Sequence, residues 1–423
     1  MSFLPPTELR CLFLDLNSYF ASVEQQVEPR LRGKPVIVLP LMTDSTCAIA
    51  ASYEAKAFGI KTGTPVWEAK KKCPDVIMVA GRHDVYVEFH HRILEAIDHY
   101  IPVTEICSID EVACSLDWSQ RSVDAATLLA RRIKQGLYDR VGECIRCSIG
   151  IAPNKFLGKV ASDMMKPDGL VVLQPHELEE KLFRLNLTDL PGIASNMAER
   201  LARGGITSIE AFWRCDPKQL RRIWGSVQGE RFWYVLHGYE LEEFATERDS
   251  VSHSQVLAPE VRPFAEARLV GRRLTQKATS RMRRLAMAAQ RFGLSVRTLD
   301  GRRWHGELSF ELAHDNFTFL RSFEVLWEAA EAELRAPMLK KVGVWLAGLA
   351  NPAVRQLSLF DVAAPERRRE TERHERLSCL MDDLNRKFGR DTLLLGMPAR
   401  KMASFTGTKV AFTRIPDREE FHE

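Results

Sequence analysis

From Cys11 to Val172 the chain alternates short apolar runs with amphipathic stretches, and this alternation restricts the possible folds more than any other feature. KPVIVLP (34–40), TCAIAAS (46–52), VIMVA (76–80) and IRCSIGIA (145–152) have the length and apolar character of short strands. Between them, 18–28, 83–100, 122–141 and 154–165 read as helices; Val87, Ile93, Leu94 and Ile97, for example, fall on one helical face. The expectation is an α+β fold in which a mixed sheet is covered on one side by helices. A loop-rich insert at 30–75 forms a small subdomain.

One residue breaks the pattern. Cys11-Leu12-Phe13-Leu14-Asp15 ends an apolar run on a carboxylate, and an unpaired buried charge is strongly destabilising. Asp15 either meets a buried cation such as an Arg or shares a metal with other carboxylates. A second run, CSIDEVAC (107–114), carries Asp110 and Glu111 side by side between Ile109 and Val112. If the two strands are neighbours, three carboxylates converge with no cation in either strand to pair with them. Hard divalent ions suit such a set; Mg²⁺ takes carboxylates together with phosphate oxygens. Two such ions about 4 Å apart can activate a hydroxyl and stabilise a departing pyrophosphate. A single Asp-Glu pair is more simply a surface feature of a strand end, but two such strands together favour the metal site.

With 423 residues, 45% hydrophobic and 27% charged, the chain fits two to four soluble domains. Its start, MSFLPPTELR, lacks the basic and apolar regions of a secretory signal. The longest apolar runs, such as VGVWLAGLA (342–350), are far shorter than the roughly 20 residues that span a bilayer. A cytoplasmic protein without membrane association is expected. Nine scattered cysteines fit reduced thiols better than a disulfide framework. The net charge of +4 is too small to announce a nucleic-acid partner by itself.

Beyond PDGLVVL (167–173) the texture changes to short helices broken by glycine, and an acidic connector, ELEEFATERDS, follows at 240–250. Residues 251–351 read as strand, long helix, two strands, helix and strand, a compact domain of its own. From Ala267 to Leu299 there is no acid, and Arg273, Lys277, Arg281 and Arg284 share one face of the long helix. That face suits salt-dependent, sequence-independent contact with DNA, or is simply a solvated basic surface. After Pro352 come an apolar peptide, RQLSLFD, a charged run, PERRRETERHER, and a stripe formed by Leu377, Leu380, Met381, Leu384 and Phe388.

FLDLNSYFASVEQ, ASYEAKAFGIKTG, SIDEV and CSIGIAPNKFLGKVASDMMKPDG, spread in order over residues 11–170, resemble the signature blocks of the Y-family translesion DNA polymerases. The likeness is to the bacterial type that includes polymerase IV and the catalytic subunit of polymerase V, and it continues more weakly to about residue 350. It implies a right-hand polymerase: palm (1–28 and 76–170), fingers (29–75), helix-hairpin-helix thumb (171–240), linker (241–250) and little finger (251–351), then a clamp-binding peptide (352–361) and a tail module (362–423).

The resemblance also implies roles. Asp15, Asp110 and Glu111 match the catalytic, metal-binding carboxylates, and Leu16 supplies a backbone carbonyl to the same two Mg²⁺ ions. Phe20 matches the steric gate against a ribose 2′ hydroxyl, while Tyr53, Lys56 and Lys166 match the triphosphate contacts. Lys56 replaces a commoner Arg, and Asn17 stands where many members have a second Asp. LPGIASNMAERLARGGITS resembles the thumb hairpin, with Gly192 offering backbone N–H groups to DNA and Ala194 where Gly is usual. Gln356-Leu357-Ser358-Leu359-Phe360 resembles the bacterial sliding-clamp pentapeptide.

The implied function is error-prone, template-directed DNA synthesis past damaged bases, in DNA repair and the SOS response. Primer-template DNA, deoxynucleoside triphosphates and the sliding clamp are the implied partners, and the tail is expected to bind a recombinase filament or an accessory subunit. A catalytically idle scaffold bound to clamp and DNA is the rival, and a nucleotide cyclase with a related palm is a more distant one. The full set of palm acids and triphosphate residues argues against the first. The appended domains argue against the second.

Overall fold

The computed structural model describes residues 7–44, 46–242, 249–354, 365–389, 392–396 and 415. The chain forms two compact units divided after Glu243.

The first unit is built on a five-stranded sheet ordered β5-β6-β1-β7-β8, with β1 Cys11–Leu16, β5 Glu105–Ile106, β6 Glu111–Ser115, β7 Cys147–Ala152 and β8 Leu170–Val172. β1 lies at its centre, antiparallel to both β6 and β7. Strand alternation sends Leu12, Leu14 and Leu16 into the core, where they meet α1 (Tyr19–Val27), α4 (His83–Asp98) and α5 (Val123–Arg140). Cys11, Phe13 and Asp15 point to the opposite face.

That opposite face is not bare, as one-sided coverage would have it. Helix α6 (Lys155–Met164) crosses it at close range, because neither partner carries a side chain at the crossing. A Cβ on Gly150 of β7 would stand 2.0 Å from the Gly158 carbonyl oxygen, and one on Gly158 would stand 2.9 Å from Phe13 Cβ. Two glycines thus allow backbone-to-backbone packing, and the next residue on α6, Lys159, is carried over the sheet.

The insert has a sheet and core of its own. β2 (Val36–Leu39) pairs with β3 (Ala50–Ala51) and with β4 (Ile77–Ala80), and α2 (Tyr53–Ala57) and α3 (Val66–Lys72) complete it around Ile37, Leu39, Ile60 and Val66. By strand pairing β4 goes with the insert, although the sequence reading starts the second palm segment at residue 76. The following helices, α7 (Leu178–Leu182), α8 (Ser195–Arg203), α9 (Ile209–Trp213), α10 (Pro217–Trp224) and α11 (Val227–Leu236), enclose an apolar cluster around Leu201, Phe212 and Leu220. Gly192 has φ +92, a left-handed turn that favours glycine. Ala194, at φ −87 and ψ 177, is extended, so the hairpin does not need a glycine there.

The second unit is a four-stranded antiparallel sheet ordered β11-β10-β12-β9, from β9 (Ser250–Val256), β10 (Ala288–Thr298), β11 (Arg303–Ala313) and β12 (Leu339–Ala350). Its apolar face packs on α12 (Phe264–Arg284) and α13 (Asn316–Leu334) around Phe292, Phe319, Phe323 and Trp327. A last helix, α14 (Pro365–Phe388), docks on α12 and α13. Arg283 pairs with Asp382 at 2.6 Å, the Ser378 hydroxyl accepts from the Asn316 N–H at 2.9 Å, and the His374 ring stacks on Phe317. The charged run 365–376 is therefore the first half of this helix. The contacts just named are mostly polar, and of the expected apolar stripe Leu377, Leu380 and Phe388 stay exposed. Among the described residues no helix is long and apolar enough to cross a membrane.

Candidate active site

Pairing of β1 with β6 sets Asp15 directly opposite Glu111, on the face crossed by α6. Asp110 immediately precedes β6, and its backbone carbonyl accepts from the Leu16 N–H at 2.8 Å. The three carboxylates expected to converge do come to one end of two neighbouring strands. Asp110 accepts from the Ser108 hydroxyl at 2.6 Å. Burial pushes the Asp110 carboxyl above the usual range; the Ser108 bond partly offsets this, and Asp15 and Glu111 add to it.

The cation missing from both strands comes from α6 and the loop after it. Lys159 Nζ binds Asp15, stands 2.8 Å from Glu111 and 3.1 Å from Asp163. Lys166 Nζ stands 2.6 Å from Asp15 and 2.7 Å from Asp163. Burial, the largest single influence, would depress both ammonium groups, but the carboxylates around them together outweigh it, Asp15 foremost, and both are held above the ordinary lysine value. Lys159 and Asp163 escape a sequence reading because a Lys and an Asp four residues apart on a helix are ordinary surface residues. Only the Gly150–Gly158 crossing makes them part of the site.

Asn17 is buried and structural. Its amide donates to the Ser148 hydroxyl at 3.0 Å, and its carbonyl oxygen accepts from the Asp168 N–H at 2.7 Å, tying the end of β1 to the loop that carries Lys166. Tyr53 opens α2, whose N-terminus is capped by Ser52, and Lys56 Nζ lies 4.4 Å from the Tyr53 ring centroid. Burial lowers the Lys56 ammonium, and nearby Lys166 lowers it further. Burial also raises the Tyr53 phenol. Phe20, half-buried near the start of α1, stacks on Tyr86 with centroids 4.3 Å apart.

Among the described residues, no three His, Cys, Asp or Glu side chains are drawn around a common point as metal ligands are. The donor set still fits a hard divalent ion: all-oxygen, negatively charged, and already closed around positive charge, here the ammonium groups of Lys159 and Lys166.

On the second unit, the expected basic helix face is partly committed elsewhere. Arg268 and Arg272 of α12 bind Glu324, and Arg283 binds Asp382. Arg273, Lys277, Arg281 and Arg284 do lie on α12, which packs through Val270, Leu274, Ala278 and Met282. A cation row that the sequence conceals lies on the sheet. Arg297 of β10 is directly opposite Arg303 of β11 on one side and Lys341 of β12 on the other. Like charges so placed repel, and Arg297 Nε is buried without a hydrogen-bond partner among the described residues. The pentapeptide Gln356, Leu357, Leu359 and Phe360 lies outside the described residues.

Two family models match the chain, the impB/mucB/samB family over residues 14–163 and the impB/mucB/samB family C-terminal domain over residues 248–359. DNA polymerase IV of Moorella thermoacetica is 32% identical over 410 residues, covering 95% of this chain and 97% of that protein. The chain belongs to the Y-family DNA polymerases. DNA polymerase IV 1 of Bacillus subtilis is 29% identical over 417 residues, covering 95% of this chain and 96% of that protein. Among solved structures, a Y-family DNA polymerase chimera, Dbh-Dpo4(243-245)-Dbh, matches with TM-score 0.68 and 25% identity over 80% of this chain and 99% of that one. The family and the fold agree, and the chain is a DNA-directed DNA polymerase of the translesion type, dependent on a divalent metal.

Proposed function

We propose that the carboxylate face of the palm is where this polymerase joins deoxynucleotides to a primer 3′ end opposite damaged template bases. The observation that carries the proposal is the convergence of Asp15 and Glu111 across one strand pair, with Asp110 adjoining, on a face bounded by Lys159 and Lys166. Asp15, Asp110, Glu111 and the Leu16 carbonyl would hold two Mg²⁺ ions. The chemistry such ions supply is activation of the primer hydroxyl and stabilisation of the pyrophosphate leaving group.

The chain's own residues do the rest. Lys166, Lys56 and the Tyr53 hydroxyl meet the triphosphate as donors, with Lys166 exchanging its Asp15 contact for phosphate oxygens. Phe20 faces the sugar and rejects a 2′ hydroxyl. Gly192 in the thumb hairpin offers its backbone to a DNA phosphate. On the little finger, the Arg303–Arg297–Lys341 row takes phosphates along its sheet, a better candidate than the α12 face because its repulsion is relieved by an anion.

Gln356, Leu357, Leu359 and Phe360 dock into the bacterial sliding clamp, which raises the local concentration at the primer end. The exposed Leu380 and Phe388 of α14 support a tail that receives a recombinase filament or an accessory subunit. The enzyme acts in the cytoplasm, during SOS damage tolerance. The test is extension of a primer past an abasic template site by the full chain with Mg²⁺ and clamp. Insertion and extension there support the reading; a block at the lesion with efficient copying of intact template contradicts it.

A further inference from the structure

Beneath Phe20 lies a buried carboxylate that the chemistry above does not use. Glu24, one helical turn after Phe20 on α1, is fully buried. A carboxylate in such a place is tolerated only when its oxygens are fully partnered. Its partners are the Tyr86 phenol, which donates to Oε1 at 2.7 Å, and the Arg82 guanidinium, whose Nε donates to the same oxygen at 3.2 Å and whose terminal nitrogen reaches the other. Burial and the Glu24 charge keep the phenol protonated, so Tyr86 is always the donor.

The same tyrosine carries the ring expected to meet the sugar. Phe20 lies flat on it, with planes 15° apart, and the His83 ring stands edge-on to both at 5.8 Å and 5.7 Å. The Tyr86 backbone is pinned as well, since the Tyr19 hydroxyl donates to its carbonyl at 2.6 Å. A ring resting on a ring cannot be fixed better than the one beneath it. Here that support is anchored at its backbone by Tyr19 and at its tip by Glu24.

We propose that Glu24 is a positioning residue for sugar discrimination, holding Tyr86 so that Phe20 keeps the distance that separates deoxyribonucleoside from ribonucleoside triphosphates. The inference rests on Phe20 acting as the gate. Glu24 touches no substrate and acts through two rings, so its effect belongs in selectivity rather than in overall rate. A clash with one extra oxygen depends steeply on sub-ångström placement, which a phenol released from its carboxylate no longer guarantees.

The experiment compares kcat/KM for a deoxynucleotide and the matching ribonucleotide in the full-length wild type and in Phe20→Ala, Glu24→Gln and Tyr86→Phe. Tyr86→Phe keeps the ring and removes only the hydroxyl, so it covers the case in which Glu24→Gln does not fold. The expected result is a collapse of discrimination in Phe20→Ala. In the other two, discrimination falls on the order of tenfold while deoxynucleotide incorporation falls much less. Unchanged discrimination in Glu24→Gln and Tyr86→Phe, or equal loss with both nucleotides, overturns the inference while Phe20→Ala upholds the gate. Unchanged discrimination in Phe20→Ala removes the gate and the inference together.

Discussion

Lys159 Nζ stands 2.8 Å from Glu111 Oε1 while also binding Asp15, so one ammonium joins β6 to β1 at the carboxylate end of the palm. Its side chain is 20% exposed and that of Asp15 7%, so solvent screens the pairing only in part. Lys159→Ala leaves neighbouring carboxylates to repel each other, at a cost of about 2 kcal/mol in metal-free buffer. Thermal unfolding with EDTA and with Mg²⁺ checks this: a larger loss in EDTA is expected, because a divalent ion supplies the missing charge. Equal losses in both buffers would show that Lys159 is not the counter-charge of the site.

Among the described residues a well-buried ion pair holds the tail helix. Arg283 and Asp382 have side chains 6% and 17% exposed, and Arg283 also donates to the His314 carbonyl at 2.7 Å. Asp382→Lys puts two cations together and removes about 3 kcal/mol of docking. Limited digestion with chymotrypsin, which does not cut at the introduced lysine, should then release the tail sooner than in the wild type, while primer extension is unchanged. Equal digestion rates would mean that α14 is held by its other interactions alone.

For the little finger, the Arg303–Arg297–Lys341 row makes a prediction that separates it from α12. Arg297→Ala with Arg303→Ala should lower the slope of log affinity against log salt by about 2, roughly one for each phosphate no longer neutralised. Arg273→Ala with Lys277→Ala should lower it less. The reverse order, measured by DNA-binding titrations over a range of salt, would return the DNA-binding role to the helix.

His90 reports on the loop that carries Asp110. The Ile109 carbonyl accepts from its Nδ1 at 2.8 Å, and burial lowers its pKa from 6.5 to about 4. A histidine depressed in the folded state binds fewer protons than in the unfolded chain between these values. Its contribution is therefore present above pH 6.5 and lost as pH falls to about 4, a span of about 3 kcal/mol. His90→Asn, which keeps a donor for Ile109, should flatten the stability profile in that window as followed by denaturant titration. A profile as steep as the wild type would place the proton uptake elsewhere.

The sequence reading picks out residues that contradict their surroundings. Asp15 and the Asp110–Glu111 pair stand out because a carboxylate in an apolar strand is costly, and the family blocks around them carry the fold. It missed residues whose setting is unremarkable in one dimension. Lys159 and Asp163 look like any helix surface until two glycines bring α6 onto the sheet, and Arg297, Arg303 and Lys341 form a row only once the register of three strands is known. The run 365–376 shows only its charge in the sequence, and the docking of its helix through His374, Ser378 and Asp382 depends on residues far away in the chain.

We attribute the place of Asp15 in an apolar strand to catalytic metal held with Asp110 and Glu111. Primer extension on an undamaged template with Mg²⁺, by the wild type and by Asp110→Ala and Glu111→Ala, tests it most directly. Extension by the wild type and a loss of at least about a thousandfold in each variant are expected, since removing a metal ligand withdraws much of the transition-state stabilisation. Extension by both variants at near wild-type rates would contradict it.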